Sequence, residues 1–108
     1  MKRVFVCSPW REDPARGAEI LRAVLRDVLR EGDAPFAPHG LYPQVLDDAL
    51  PEDRERGIVA GVAWLTVADE VLVVGPASEG MAYEVAAAEA AGVPVRRVPL
   101  PALEARRG

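Results

Sequence analysis

Cysteine and histidine are almost absent. The 108 residues include one of each, Cys7 and His39. A single cysteine excludes an internal disulfide, and one cysteine with one histidine falls short of the usual ligand sets for structural zinc. No metal site and no cofactor are expected. Long apolar runs are missing too: none approaches the ~20 residues of a membrane-spanning helix. Met1-Lys2-Arg3 leads into an apolar stretch too short for a signal peptide. The expectation is a cytoplasmic protein with no membrane partner. There is no excess of cationic charge. Thirteen basic and seventeen acidic residues are interleaved, giving a net charge of −4. A nucleic-acid polymer needs a clustered cationic face, so none is expected as partner. A small phosphorylated ligand remains open, because it needs only one or two local donors. Finally, no Gly-x-Gly-x-x-Gly follows the first apolar run, where "CSPWRED" stands instead. That argues against a dinucleotide dehydrogenase domain.

Half of the residues are apolar and 28% are charged, a globular composition for a chain of one-domain length. One domain over residues 1–108 is expected, with a polar tail from about 100 to 108. Val4-Phe5-Val6-Cys7, bounded by Ser8-Pro9, reads as a buried strand. Pro14 to Glu31 reads as a helix with Leu21, Val24, Leu25 and Val28 on one face. Asp13 is its cap, Pro14 suits its first position and Gly32 ends it. Pro35 to Pro38 reads as a short strand, because its prolines limit ladder bonding. Residues 39–50 have no clean period and read as a long loop, a kind often used for function.

A second helix is expected from Pro51, with Ile58, Val62 and Leu65 as its inward stripe. Glu70 to Gly75 reads as the third strand, Gly80 to Ala91 as the third helix, and Val93 to Val98 as the last strand. Alternating strands and helices, with near-continuous apolar strands, predict a parallel sheet covered on both faces. The fold expected is a three-layer αβα sandwich with four or five strands in the flavodoxin- or Rossmann-like order 2-1-3-4. Ligands in such sheets bind beyond the carboxyl ends of the strands, at the switch point.

That topology sorts the polar residues. Ser8, Pro9, Trp10 and Arg11 follow the first strand. His39, Tyr42, Asp47 and Asp48 follow the second, and Ser78, Gly80, Met81 and Glu84 follow the third. All fall at the ligand edge, whereas Asp69 precedes the third strand and falls at the opposite edge. On the third helix, Met81, Val85 and Ala88 form the sheet-facing stripe, and Glu84 lies about 60° to its side. A carboxylate there is either held dry against the strand ends or serves the helix dipole. Tyr83 lies nearly opposite the stripe, beside a ridge of Ala82, Ala86 and Ala90 suited to another subunit or simply to helix formation. Cys7 reads as a small buried hydrophobe.

Four stretches, "VFVCSPWR", "PFAPHGLYPQVLDD", "ADEVLVVG" and "SEGMAYEVAAAEAAGVPV", resemble the nucleoside 2-deoxyribosyltransferase superfamily. They are similar also to 2'-deoxynucleoside 5'-monophosphate N-glycosidases. Ser78, Gly80 and Glu84 stand in register with the superfamily's Ser-x-Gly-x-x-x-Glu signature. The resemblance implies a nucleoside or nucleotide as small-molecule partner, with Glu84 as nucleophile in N-glycosidic bond cleavage or deoxyribosyl transfer. It implies phosphate binding by Ser8, Arg11 and Ser78, and a homodimer or homotetramer. Two family supports differ here. Phe5 stands where a tyrosine orients the nucleophile, and Gly61 where relatives carry an acid. His39, Asp47 and Asp48 are the candidates to replace that acid. Trp10 either stacks on a base or caps the sheet edge. A non-catalytic nucleotide-binding module of the same fold is the alternative.

Overall fold

The computed structural model describes residues 1–103. Seven regular elements follow one another: β1 (Arg3–Cys7), α1 (Pro14–Arg30), β2 (Ala34–Phe36), α2 (Pro51–Leu65), β3 (Glu70–Val74), α3 (Glu79–Ala91) and β4 (Val95–Val98). Two short 3-10 turns, Pro38–Gly40 and Tyr42–Gln44, lie between β2 and α2. The four strands form one parallel sheet in the order β2-β1-β3-β4.

Side-chain alternation along the two central strands builds the layers. Val4 and Val6 of β1, with Leu72 and Val74 of β3, face α1 and meet Ile20, Leu21, Val24 and Val28. Phe5 and Cys7, with Val71 and Val73, face the other way and meet Leu65 of α2 and Met81, Val85 and Ala88 of α3. Central strands buried on both faces are the reason β1 and β3 carry apolar runs rather than alternation. The helix ends follow their chemistry. The Asp13 carboxylate accepts the Arg16 N–H at 3.2 Å, Pro14 opens α1, and Gly92 closes α3 at φ 74°.

The amino edge of the sheet is tied by ionic contacts. The Asp69 carboxylate accepts the Arg3 N–H at 2.7 Å, and Asp33 accepts the Lys2 N–H at 3.0 Å. Glu70 binds Lys2 at 3.1 Å and Arg96 at 3.0 Å. Its pKa is lowered, since these partners outweigh the burial that opposes them. Asp69 thus sits at the edge opposite the strand carboxyl ends.

Three expectations need correction. Ile58 does not face inward: it is 40% exposed, and the buried line of α2 runs through Gly61 and Leu65. The helix rests against the preceding loop along that line. A Cβ on Gly61 would meet Pro38 at 3.8 Å, and one on Gly57 would meet Leu46 at 3.4 Å. The second strand ends at Phe36, because Pro38 already starts a 3-10 turn. The stretch after β4 is not simply a polar tail, since Leu103 is buried in the α1-side cluster. The rest of that tail, 104–108, lies outside the described residues. Among the described residues no helix is long and apolar enough to cross a membrane.

Candidate functional site

The switch point lies where β1 leads to α1 on one side of the sheet and β3 leads to α3 on the other. The carboxyl ends of these strands deliver the polar residues. Ser8 directly follows β1 and is buried. Its hydroxyl lies 2.7 Å from Nε2 of His39, which follows β2. His39 is packed edge-on against Trp10, with ring centroids 5.9 Å apart at 78°. Burial pushes the imidazole pKa down to about 4, so the ring is neutral at pH 7. Trp10 itself packs against the α1-side cluster. A close approach holds its loop, since a Cβ on Gly17 would lie 2.7 Å from the Pro9 carbonyl oxygen.

α3 supplies the acid. Ser78 caps the helix, its hydroxyl accepting the Met81 N–H at 3.3 Å. Met81 places its side chain in the core with Cys7 and Val85. Glu84, one turn further, is half-buried on the flank of that stripe. Burial raises its pKa to about 7, and the Cys7 thiol acts in the opposite direction. Cys7 is almost fully buried at the end of β1. Its own pKa is raised strongly, by burial first and then by Glu84, so the thiol keeps its proton at neutral pH. Cys7 is a small buried residue, as the sequence suggests; it points to the same face as Phe5 and is the last residue of β1.

The middle loop divides. Arg11 and Asp48 form an exposed ion pair at 2.9 Å, which ties the loop after β1 to the one before α2. Asp47 serves its own loop: its carboxylate accepts the Ala49 N–H at 3.0 Å, and its N–H donates to Asp53 at 3.0 Å. That bond is the main cause of a lowered Asp53 pKa; desolvation opposes it and Arg56 reinforces it. Tyr42 turns to α2, where its hydroxyl accepts the Trp64 indole N–H at 3.1 Å. Gly80 is exposed in the first turn of α3, and an added Cβ would meet nothing within 4 Å. Tyr83 is 56% exposed, on the side of α3 away from the sheet. Among the described residues, no three His, Cys, Asp or Glu side chains are grouped closely enough to hold a metal ion.

Residues 2–98 match the model of a family described as a domain of unknown function, DUF7768. The chain belongs to that family. No curated protein matches this DUF7768 domain in sequence. Its fold is shared with solved enzymes. A 2-deoxyribosyltransferase from Bacillus psychrosaccharolyticus superposes with a TM-score of 0.66 at 22% identity, over 90% of this chain and 72% of that one. A 2-deoxyribosyltransferase from Leishmania mexicana gives 0.70 at 15% identity, over 92% and 65%. A CMP N-glycosidase from Clostridium botulinum gives 0.56 at 16%, over 91% and 69%. The DUF7768 domain therefore has a nucleoside 2-deoxyribosyltransferase-like α/β fold, and it spans under two thirds of the Leishmania enzyme's length.

Proposed function

We propose that this domain cleaves the N-glycosidic bond of a small nucleoside or nucleoside 5'-monophosphate, with Glu84 as nucleophile. The observation that carries the reading is the state of that carboxyl. It is half-buried at the carboxyl edge of the sheet, and burial raises its pKa to about 7. Such a group is poised between carboxylate and acid near neutral pH, as groups that do chemistry commonly are. The solved proteins of like fold include two deoxyribosyltransferases and an N-glycosidase, which supports the same class of reaction.

In the proposed step, one Glu84 oxygen forms a bond to the anomeric carbon as the carbon–nitrogen bond breaks. The bonding pair leaves with the base, which takes up a proton. The glycosyl ester is then opened by water, giving hydrolysis, or by a second base, giving transfer. The sugar passes through an oxocarbenium-like state, which the Glu84 carboxylate stabilises. Ser8 and His39 line the β1 side of the edge as a neutral, hydrogen-bonded pair. Such a pair suits a sugar hydroxyl better than a charge. Arg11, at the exposed mouth, is the donor for a 5'-phosphate, with Ser78 and the N–H groups at Gly80 beside it.

One observation favours the binding-only alternative. Asp47 and Asp48 are exposed and already engaged, one within its loop and one with Arg11. Neither is held dry as a general acid, so the proton for the leaving base must come from water at the mouth. The test is to incubate the protein with nucleosides, deoxynucleosides and their 5'-monophosphates and to follow free base by chromatography. Release that disappears in Glu84→Gln supports the enzyme. Binding without release across the panel favours the module.

A further inference from the structure

We propose that His39 selects the sugar of the ligand by a hydrogen bond from Nδ1 to one sugar hydroxyl, and that Ser8 positions the imidazole for it. For its ligand class this assignment rests on the nucleoside reading of the edge. It also moves Ser8 away from the 5'-phosphate, where the family resemblance puts it. The ring is held from several sides. Its Nε2 lies 2.7 Å from the Ser8 hydroxyl, and the Trp10 indole meets it edge-on with centroids 5.9 Å apart. The turn that carries it is closed: the Gly40 N–H donates to the Ala37 carbonyl at 3.1 Å, and the Leu41 N–H to that of Pro38 at 3.0 Å. Helices wedge that turn on both sides. A Cβ on Gly40 would run into Cδ2 of Leu21 on α1, and one on Gly61 of α2 would meet Pro38 at 3.8 Å. A side chain so confined is oriented before any ligand arrives, which lowers the cost of binding.

The second ring nitrogen is the open one. Among the described residues, no buried side-chain nitrogen or oxygen lacks a hydrogen-bond partner. The bond of the ring is made at Nε2, and His39 is only half-buried. Nδ1 therefore keeps contact with solvent, at the carboxyl edge where the ends of β1 and β2 meet. A ligand that covers Nδ1 must satisfy it, because a buried ring nitrogen left without a partner is costly.

A sugar hydroxyl satisfies Nδ1 in either tautomer, since a hydroxyl both donates and accepts. A phosphate suits the pair poorly. It accepts only, and it is held best by charged donors. Ser8 is 6% exposed and its partner ring is neutral at pH 7. The cation of the same loop, Arg11, is turned to Asp48 at 2.9 Å, with both side chains exposed. Charge and hydroxyl recognition are thus separated along the edge: Arg11 stands at the wet mouth, and Ser8 with His39 stands in the drier interior.

The experiment uses nitrogen NMR of histidine-labelled protein, which reads both nitrogens of the one histidine. Ribonucleosides, their 2'-deoxy and 3'-deoxy analogues and the 5'-monophosphates are titrated into wild type, Ser8→Ala and His39→Phe, with affinities from calorimetry. In wild type, Nδ1 should move more than Nε2, and removal of one of the two hydroxyls should weaken binding roughly 3–10-fold. That difference should vanish in His39→Phe. In Ser8→Ala it should shrink, the free ring should show mixed tautomers, and nucleoside and monophosphate should weaken alike. An Nδ1 resonance unmoved by every nucleoside, or equal wild-type affinities for all the analogues, overturns the proposal without recourse to any variant. A Ser8→Ala loss confined to monophosphates returns Ser8 to the phosphate and also overturns it. So does a uniform loss in both variants that leaves the hydroxyl difference intact, which means packing alone. The glycosidase reading fails separately: if nucleosides bind with this hydroxyl dependence and no base is released, the selection by His39 stands and Glu84 is not a nucleophile.

Discussion

The Ser8 hydroxyl and Nε2 of His39 lie 2.7 Å apart, and this bond joins the end of β1 to the turn that follows β2. Both groups are largely removed from water, so the imidazole stays neutral down to about pH 4. A neutral ring offers one donor and one acceptor, and either sense of the bond satisfies Ser8. Protonation would place a charge among Ser8, Trp10 and the surrounding backbone, with no carboxylate bonded to the ring.

Acid should therefore weaken the fold through His39. The folded pKa of about 4 lies below the unfolded 6.5, so the folded state binds fewer protons in that window. Stability is then lost as pH falls from 6.5 to 4, by up to about 3 kcal/mol from this group. His39→Gln keeps an amide near Ser8 and cannot titrate. Its urea midpoint should be lower than that of wild type at pH 7 and should rise relative to wild type between pH 7 and pH 4.5, because the acid loss due to His39 is gone. Equal acid losses in the two proteins would remove His39 as the cause.

Glu84 should act in the opposite direction. Its folded pKa of about 7 lies above the unfolded 4.5, so the folded state holds the extra proton. Stability from this group is complete below pH 4.5 and is lost as pH rises through 7, by at most about 3 kcal/mol. Glu84→Gln should be more stable than wild type at pH 8 and close to it at pH 4.5. Between pH 4.5 and 6.5 the slopes from His39 and Glu84 oppose each other. Wild type should look nearly flat there, while the two single variants should tilt in opposite senses. Parallel denaturation series on the three proteins check this.

Legibility in the sequence followed the strength of the burial signal. β1 and β3 are buried on both faces, so their apolar runs announced them, and strand order then placed Ser8, His39 and Glu84 at one edge. The stripe of α3 was readable because Met81, Val85 and Ala88 are apolar at helical spacing. On α2 the stripe is legible at Leu65 but not at Ile58, which is exposed, because glycine carries no hydrophobic signal and the buried line runs through Gly61. The middle loop was opaque for a related reason: Asp47, Asp48 and Tyr42 all find partners that depend on tertiary placement.

Gly17 is the backbone support of the site. A Cβ there would press on the Pro9 carbonyl oxygen at 2.7 Å and on the Trp10 Cα at 3.0 Å, both backbone atoms that cannot rotate away. Gly17→Ala should cost about 1–3 kcal/mol as the loop is pushed off α1. Because the sequence has one histidine, NMR follows the consequence without ambiguity. As Trp10 shifts from His39, the imidazole should gain water and its pKa should climb from about 4 towards 6.5. Gly80→Ala, which meets open space, should leave that pKa alone.

Arg11 and Asp48 test whether the mouth takes a phosphate. The pair is exposed on both sides, so its loss should change stability by no more than about 1 kcal/mol. Its effect on ligands should be larger, because Asp48 competes with a phosphate for the same guanidinium. Asp48→Asn frees Arg11 and removes a negative charge from the mouth. Binding of a nucleoside 5'-monophosphate should tighten severalfold, while the parent nucleoside should be little affected. Arg11→Ala should weaken the monophosphate and again spare the nucleoside. Both differences should shrink as salt rises from low to physiological ionic strength, since exposed charges are screened. Calorimetry on the six protein–ligand pairs, at two salt concentrations, separates this from a general loosening of the loop. A loosened loop would move nucleoside and monophosphate together, and equal changes for the two ligands would place the phosphate elsewhere on the edge.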